Sequence, residues 1–300
     1  MYCWGDDVSD WRAPAAYAFT GTPDAAAARA AAAKASLEAG GRTYVKKTAP
    51  NLDLTSSKKT IHTRSTTPIV VAVDVTGSMQ RWPAEIFDRL PLLYQTLSQY
   101  REDVEISFVA IGDATCDRYP LQVTDFRKGI DLEPTLSALF GEGGGGGQHR
   151  ESYELLAYSL LYKTRCPEAV KPLLILYGDE AFYEKVDRRQ VKALHGDELG
   201  EDLDARTLWR AVGEAWNVWH LRKKYGGSQE TEILAQWRDV LGRERVLELD
   251  DETRAVDYAL GLIARQWGRY EDFDKNLQAR QDGATVARVH DRLKNVGSVK

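Results

Sequence analysis

The chain has 300 residues, of which 43% are hydrophobic and 28% charged, enough apolar material for a sizeable core. The formal charge is −5, with 40 Lys and Arg against 45 Asp and Glu, and this gives no electrostatic case for nucleic acid as the main partner. Three widely spaced cysteines, Cys3, Cys116 and Cys166, argue against a disulfide framework or a cysteine metal site.

Residues 1–7 carry no basic segment followed by an apolar one, so no secretory signal is expected. The alanine run over 25–33 is interrupted by Arg29 and is too short and too weakly apolar to span a bilayer. These features predict a cytoplasmic protein with no membrane partner. Thr22 as N-cap and Pro23 at the first helical position predict a helix over 23–37, ended by Gly40 and Gly41. Residues 42–67 are rich in Thr, Ser and Lys and read as a connector. Residues 1–67 therefore form an N-terminal arm in this reading.

A repeating pattern follows over 68–268. Apolar runs predict strands at 69–75, 104–111, 172–177, 217–221 and 245–249, with a shorter one at 121–126. Helical periodicity falls between them. The helix over 83–100 places Ile86, Leu90, Leu93 and Leu97 on one face. Others are expected at 135–140, 151–163, 204–215, 229–241 and 253–267. Near-continuous apolar strands alternating with helices predict an α/β fold: a doubly wound, mostly parallel six-stranded sheet with helices on both faces. Residues 269–300 read as a charged tail in which Val286, Val289 and Leu293 form one short amphipathic helix.

Ligands of open α/β sheets sit beyond the carboxyl ends of the strands. The first strand ends in Asp74-Val75-Thr76-Gly77-Ser78, the second in Gly112-Asp113-Ala114-Thr115, the fourth in Tyr177-Gly178-Asp179-Glu180. A glycine run over 143–147 precedes Glu151 and Ser152. Acids and hydroxyls thus gather on one rim, with few bases to neutralise them. Carboxylates that share a site need a cation or must take up protons. Oxygen donors without nearby His or Cys point to a hard ion: Mg²⁺, or else Mn²⁺ or Ca²⁺. Asp74, Thr76 and Ser78 alternate by two, and Gly77 allows the turn. The plainer alternative is a strand-end turn with a helix cap. Asp113 reads as a turn residue, and His220 as a core residue of a strand.

Asp74-x-Thr76-Gly77-Ser78-Met79 resembles the first motif of the von Willebrand factor A domain, which carries a metal-ion-dependent adhesion site. The resemblance extends over roughly residues 68–268, and Asp179 matches the acid which that family places at the end of its fourth strand. It implies Thr76 and Ser78 as direct ligands, with Asp74 and Asp179 acting mainly through water. It also implies one position left open for a carboxylate of a partner protein. The family usually adds a threonine before its third helix. Here that loop offers Gln148, Glu151 and Ser152 instead. In bacteria, intracellular proteins similar to this often work with AAA+ ATPases of the MoxR class. The implied function is a metal-dependent protein-interaction module, without catalysis.

Two other readings stand beside it. A phosphohydrolase of the haloacid dehalogenase type would use Asp74 as nucleophile, but Thr76 occupies the place of its usual acid/base group. A structural subunit would keep the same turn in a degenerate, metal-free form. An aspartic protease is excluded by the inserted Val75 and by the α/β alternation. The glycine run is not a phosphate-binding P-loop, because no Gly-Lys-Ser/Thr follows it.

Overall fold

A computed structural model describes residues 47–79, 82–142, 147, 149–249 and 251–294, and for Ser78, Phe87, Pro91 and Glu252 the backbone alone. The alanine-rich helix expected over 23–37 lies outside the described residues.

Six strands form the main sheet: β1 (Ile69–Asp74), β2 (Ile106–Ile111), β3 (Leu121–Val123), β4 (Leu173–Gly178), β5 (Asn217–Lys223) and β6 (Val246–Leu249). Their order is β6-β5-β4-β1-β2-β3. Five run parallel, and β3 lies antiparallel to β2. The sheet is therefore mixed. The segment 112–120 between β2 and β3 is shorter than the roughly dozen residues that a parallel crossover needs, so the chain must return antiparallel.

The helices are α1 (Trp82–Tyr100), α2 (Leu132–Ser137), α3 (Tyr153–Tyr162), α4 (Arg188–His195), α5 (Ala205–Ala215), α6 (Glu230–Leu241), α7 (Ala255–Gln266), α8 (Tyr270–Arg280) and α9 (Gly283–Lys294). β1 shows why both sheet faces are covered. Its residues are all buried, and they alternate between two apolar clusters. Ile69, Val71 and Val73 pack with Trp82, Ile86 and Leu90 of α1 and with α7. Val70 and Ala72 pack with Leu155 and Leu156 of α3, Trp209 of α5 and Trp237 of α6. β4 divides in the same way, Leu173, Ile175 and Tyr177 against Leu174 and Leu176.

Two elements depart from the sequence expectation. α4 was not expected: its ends are marked by Asp187, which caps the amides of Arg189 and Gln190, and by Gly196 in the left-handed region. It buries only Val191 and His195, so it lacks an apolar stripe. Residues 269–294 hold two helices rather than one short one in a charged tail. Phe273 and Leu277 of α8 and Val289 and Leu293 of α9 belong to the same cluster as β1 and α1. Gly261 of α7 makes this docking possible, since a Cβ there would collide with Leu293 and stand 3.0 Å from Cζ of Phe273.

The strand order fixes where the site can be. From β1 the chain goes to β2 on one side and later returns as β4 on the other. The crevice that this reversal opens lies at the carboxyl ends of β1 and β4. No helix among the described residues is long and apolar enough to cross a membrane.

Candidate functional site

β1 delivers Asp74 to that crevice as its last residue, fully buried. Its Oδ1 accepts hydrogen bonds from the Thr76 amide (2.9 Å) and the Thr76 hydroxyl (2.7 Å). Its Oδ2 accepts from the Tyr153 hydroxyl at 2.6 Å. The spacing of two between Asp74 and Thr76 thus folds the turn onto the acid. Ser78 lies in the following 3₁₀ turn, Gly77–Met79. Tyr153 reaches Asp74 only because Gly178 has no side chain, as a Cβ there would occupy the place of the Tyr153 hydroxyl.

Asp179 follows β4 directly and is 1% exposed. Its carbonyl accepts from Nη2 of Arg222 at 3.0 Å. Arg222, the penultimate residue of β5, is itself buried and forms a two-point pair with Glu230 at the start of α6. A buried arginine of the neighbouring strand, paired with a half-buried glutamate of α6, thereby holds the backbone that carries Asp179.

The third contribution comes from the end of the glycine-rich loop. Residues Arg150–Glu151 pair in parallel with Ala181–Phe182, and the Ala181 amide donates to the His149 carbonyl at 3.1 Å. This pairing draws Glu151 to the segment that follows Asp179. Glu151 is 1% exposed, and its Oε2 has no hydrogen-bond partner among the described residues. Ser152 plays a different part. Its hydroxyl oxygen accepts from the Ala114 amide (2.9 Å) and its amide donates to the Gly112 carbonyl (3.0 Å), tying β2 to the start of α3. Gln148 lies outside the described residues.

The electrostatics follow from burial without compensating bases. Burial, and then Asp179, push the Asp74 carboxyl above its ordinary range, against the hydrogen bonds from Tyr153 and Thr76. Burial, Asp74 and Glu180 push Glu151 up, while hydrogen bonding to Thr76 opposes them. Glu180 is raised to about 8 by burial, Asp74, Asp179 and Asp113. Glu154, in the first turn of α3, is raised well above its usual value by burial, although its Oε2 accepts from the Tyr183 amide at 3.2 Å. Such a cluster holds protons at neutral pH or is neutralised by a cation.

Asp113 behaves as a turn residue, accepting from the amide and hydroxyl of Thr115 at 2.9 and 2.8 Å, and also from Tyr183 at 3.1 Å. His220 is buried against Trp237 with ring centroids 4.3 Å apart, and burial pushes its pKa well down, so the ring is neutral. His149 is different. Its backbone has φ 59°, in the left-handed region, and its Nδ1 meets the Tyr225 hydroxyl.

Sequence spacing does not point to Tyr153, Gly178, Glu180 or Arg222 as parts of the site. Gly178 and Glu180 flank Asp179, and Tyr153 follows Ser152, but nothing in a linear pattern says which of these face the crevice. Arg222 opens the basic run Arg222-Lys223-Lys224, a pattern typical of solvated chain, yet it is buried.

No protein-family model matches the chain, and no curated protein matches it. Among solved structures, proximal thread matrix protein 1 from the mussel byssus aligns at a TM-score of 0.47 with 11% identity, covering 71% of this chain and 49% of its own. The pilus adhesin SpaC from Lactobacillus rhamnosus GG, in an open conformation, aligns at 0.45 with 10% identity, covering 72% of this chain and 31% of its own. The chain thus spans about half of the first protein and about a third of the second. Likenesses of this size carry no weight for what the chain does.

Proposed function

We propose that the chain is a divalent-cation-dependent protein-interaction module of the von Willebrand factor A type. Mg²⁺ is the ion that suits it best, with Mn²⁺ or Ca²⁺ as substitutes. One observation carries this reading: Asp74, Thr76, Glu151 and Asp179 meet, buried, where the strand order reverses. The donors are all oxygen, which suits a hard cation. The orphaned Oε2 of Glu151 gives the fit a concrete test, since a buried charged oxygen without a partner is costly.

No group of three or more His, Cys, Asp or Glu among the described residues is arranged to hold a metal by itself. The shell would therefore draw on hydroxyls and water as well. In this reading Thr76 and Ser78 hold the ion directly, Asp74 and Asp179 hold it through water, and Glu151 stands beside them. The ion would supply a positive charge that attracts an acidic side chain of a partner protein. A MoxR-class ATPase is the partner class that the sequence resemblance offers. Asp74 is ill placed for nucleophilic attack, being fully buried with both oxygens hydrogen-bonded.

The test is a thermal titration of the full chain with Mg²⁺ and Mn²⁺. Binding to the native state should raise the midpoint progressively, by the equivalent of about 2.7 kcal/mol at a hundredfold excess over Kd. Thr76→Ala and Asp179→Ala should lose the response. A wild-type midpoint indifferent to both ions would leave the metal-free structural reading in its place.

A further inference from the structure

We propose that Glu151 is a built-in carboxylate ligand of the cation and occupies the coordination position that a partner's carboxylate must take. The proposal rests on the cation site argued above and concerns how that site is regulated.

Three observations support it. Glu151 is 1% exposed, and its Oε2 is buried with no hydrogen-bond partner among the described residues. Nearby stand Asp74, which repels its charge, and Thr76, which hydrogen-bonds it. That hydrogen bond leaves Oε2 without a donor or a base, and a cation would satisfy this buried oxygen. Of the other loop candidates, Ser152 is committed to the Ala114 amide, and its own amide to Gly112. The Ser152 oxygen keeps a lone pair, so what distinguishes Glu151 is its charge and its orphaned Oε2.

Its backbone is also held in place. The parallel pair of Arg150–Glu151 with Ala181–Phe182 anchors one side. On the other side, His149 adopts φ 59° and its ring meets the Tyr225 hydroxyl. A non-glycine residue in that region persists only when its surroundings impose it.

The chemical consequence is competition. A threonine would give the ion a neutral oxygen, whereas Glu151 gives it a charged one. Asp74, Asp179 and Glu151 together carry three negative charges against two on the ion. A further carboxylate from a partner meets a site that is already negative, and it binds by displacing Glu151. Cation binding, in contrast, needs no partner.

The experiment uses Mn²⁺ as probe on the full chain, with Glu151→Ala and Glu151→Gln compared to wild type. Free Mn²⁺ is counted by electron paramagnetic resonance, and the water on bound Mn²⁺ by proton relaxation. Acetate serves as the carboxylate probe. Wild type should bind Mn²⁺ without any partner. Both variants should bind it at least tenfold more weakly. The Mn²⁺ bound to Glu151→Ala should carry an additional exchanging water, which acetate removes from that variant and not from wild type. Melting in chelator checks that each variant is folded, and Glu151→Gln preserves the shape should Glu151→Ala not fold. Unchanged affinity and hydration would overturn the proposal, as would weaker binding with no added water, which would mark a charge effect through space. Failure of wild type to bind Mn²⁺ at all would overturn the cation reading itself, so the two failures are distinct.

Discussion

At the scale of single residues, the site depends on one absence as much as on its acids. Gly178 leaves the room in which Tyr153 reaches Asp74, and Tyr153 itself is fully buried with no space to retreat. Gly178→Ala should therefore destabilise the protein by about 1–3 kcal/mol through overpacking, measured by urea unfolding. Adding Tyr153→Phe removes the colliding hydroxyl and should recover part of that loss. A fully stable Gly178→Ala would show that Tyr153 does not occupy this position. Asp74, Thr76 and Asp179 are legible in the sequence because they stand at strand ends, where a break in an apolar run marks them. Tyr153 and Gly178 are not legible, because their role is a contact between α3 and β4 across 25 positions of chain, and no local pattern encodes it.

At the scale of elements, apolar continuity decided what could be read. β1, β2 and β4 are buried on both faces and show as apolar runs, interrupted only by Ser107 in β2 and ended by Asp74 in β1. α1 shows through the spacing of its buried leucines. β3, with three residues, has no period to read, and its antiparallel direction comes from the shortness of the preceding loop. α8 has a charged sequence with two buried anchors, Phe273 and Leu277, one turn apart, which is too sparse to suggest a core helix. Those anchors and Leu293 depend on Gly261. Gly261→Val should place methyl groups into Phe273 and Leu293 and cost about 1–3 kcal/mol. Thermal unfolding should show this as one lowered transition, because α8 and α9 share the core of β1 and α1.

For the whole molecule, the carboxylate cluster ties stability to pH. Asp74, Glu151 and Glu180 have ordinary values of 3.8, 4.5 and 4.5 when unfolded, and folding raises all three. The folded protein then binds more protons than the unfolded chain above those ordinary values, so stability falls as pH rises. Each extra proton contributes a slope of about 1.4 kcal/mol per pH unit. The window from pH 6.5 to 8 reports on these acids together with Glu154, which burial raises in the same sense. Below it the buried His195, lowered to about 4, and His220 begin to act in the opposite sense. Above it the raised thiols of Cys116 and Cys166 join in. In chelator, the melting midpoint should fall steadily between pH 6.5 and 8. Saturating Mg²⁺ should flatten that slope, since a bound cation keeps the acids ionised in the folded state. A midpoint independent of pH in chelator would contradict the clustering of these carboxylates.

In the proposed function this cluster exchanges its protons for a divalent cation. Titration calorimetry with Mg²⁺ at pH 7, run in two buffers of different ionisation enthalpy, tests it most directly. Binding should release protons, so the observed heat should differ between the buffers in proportion to their ionisation enthalpies. Asp74→Asn should reduce the release. Binding heat identical in both buffers, or no binding at all, would contradict the account.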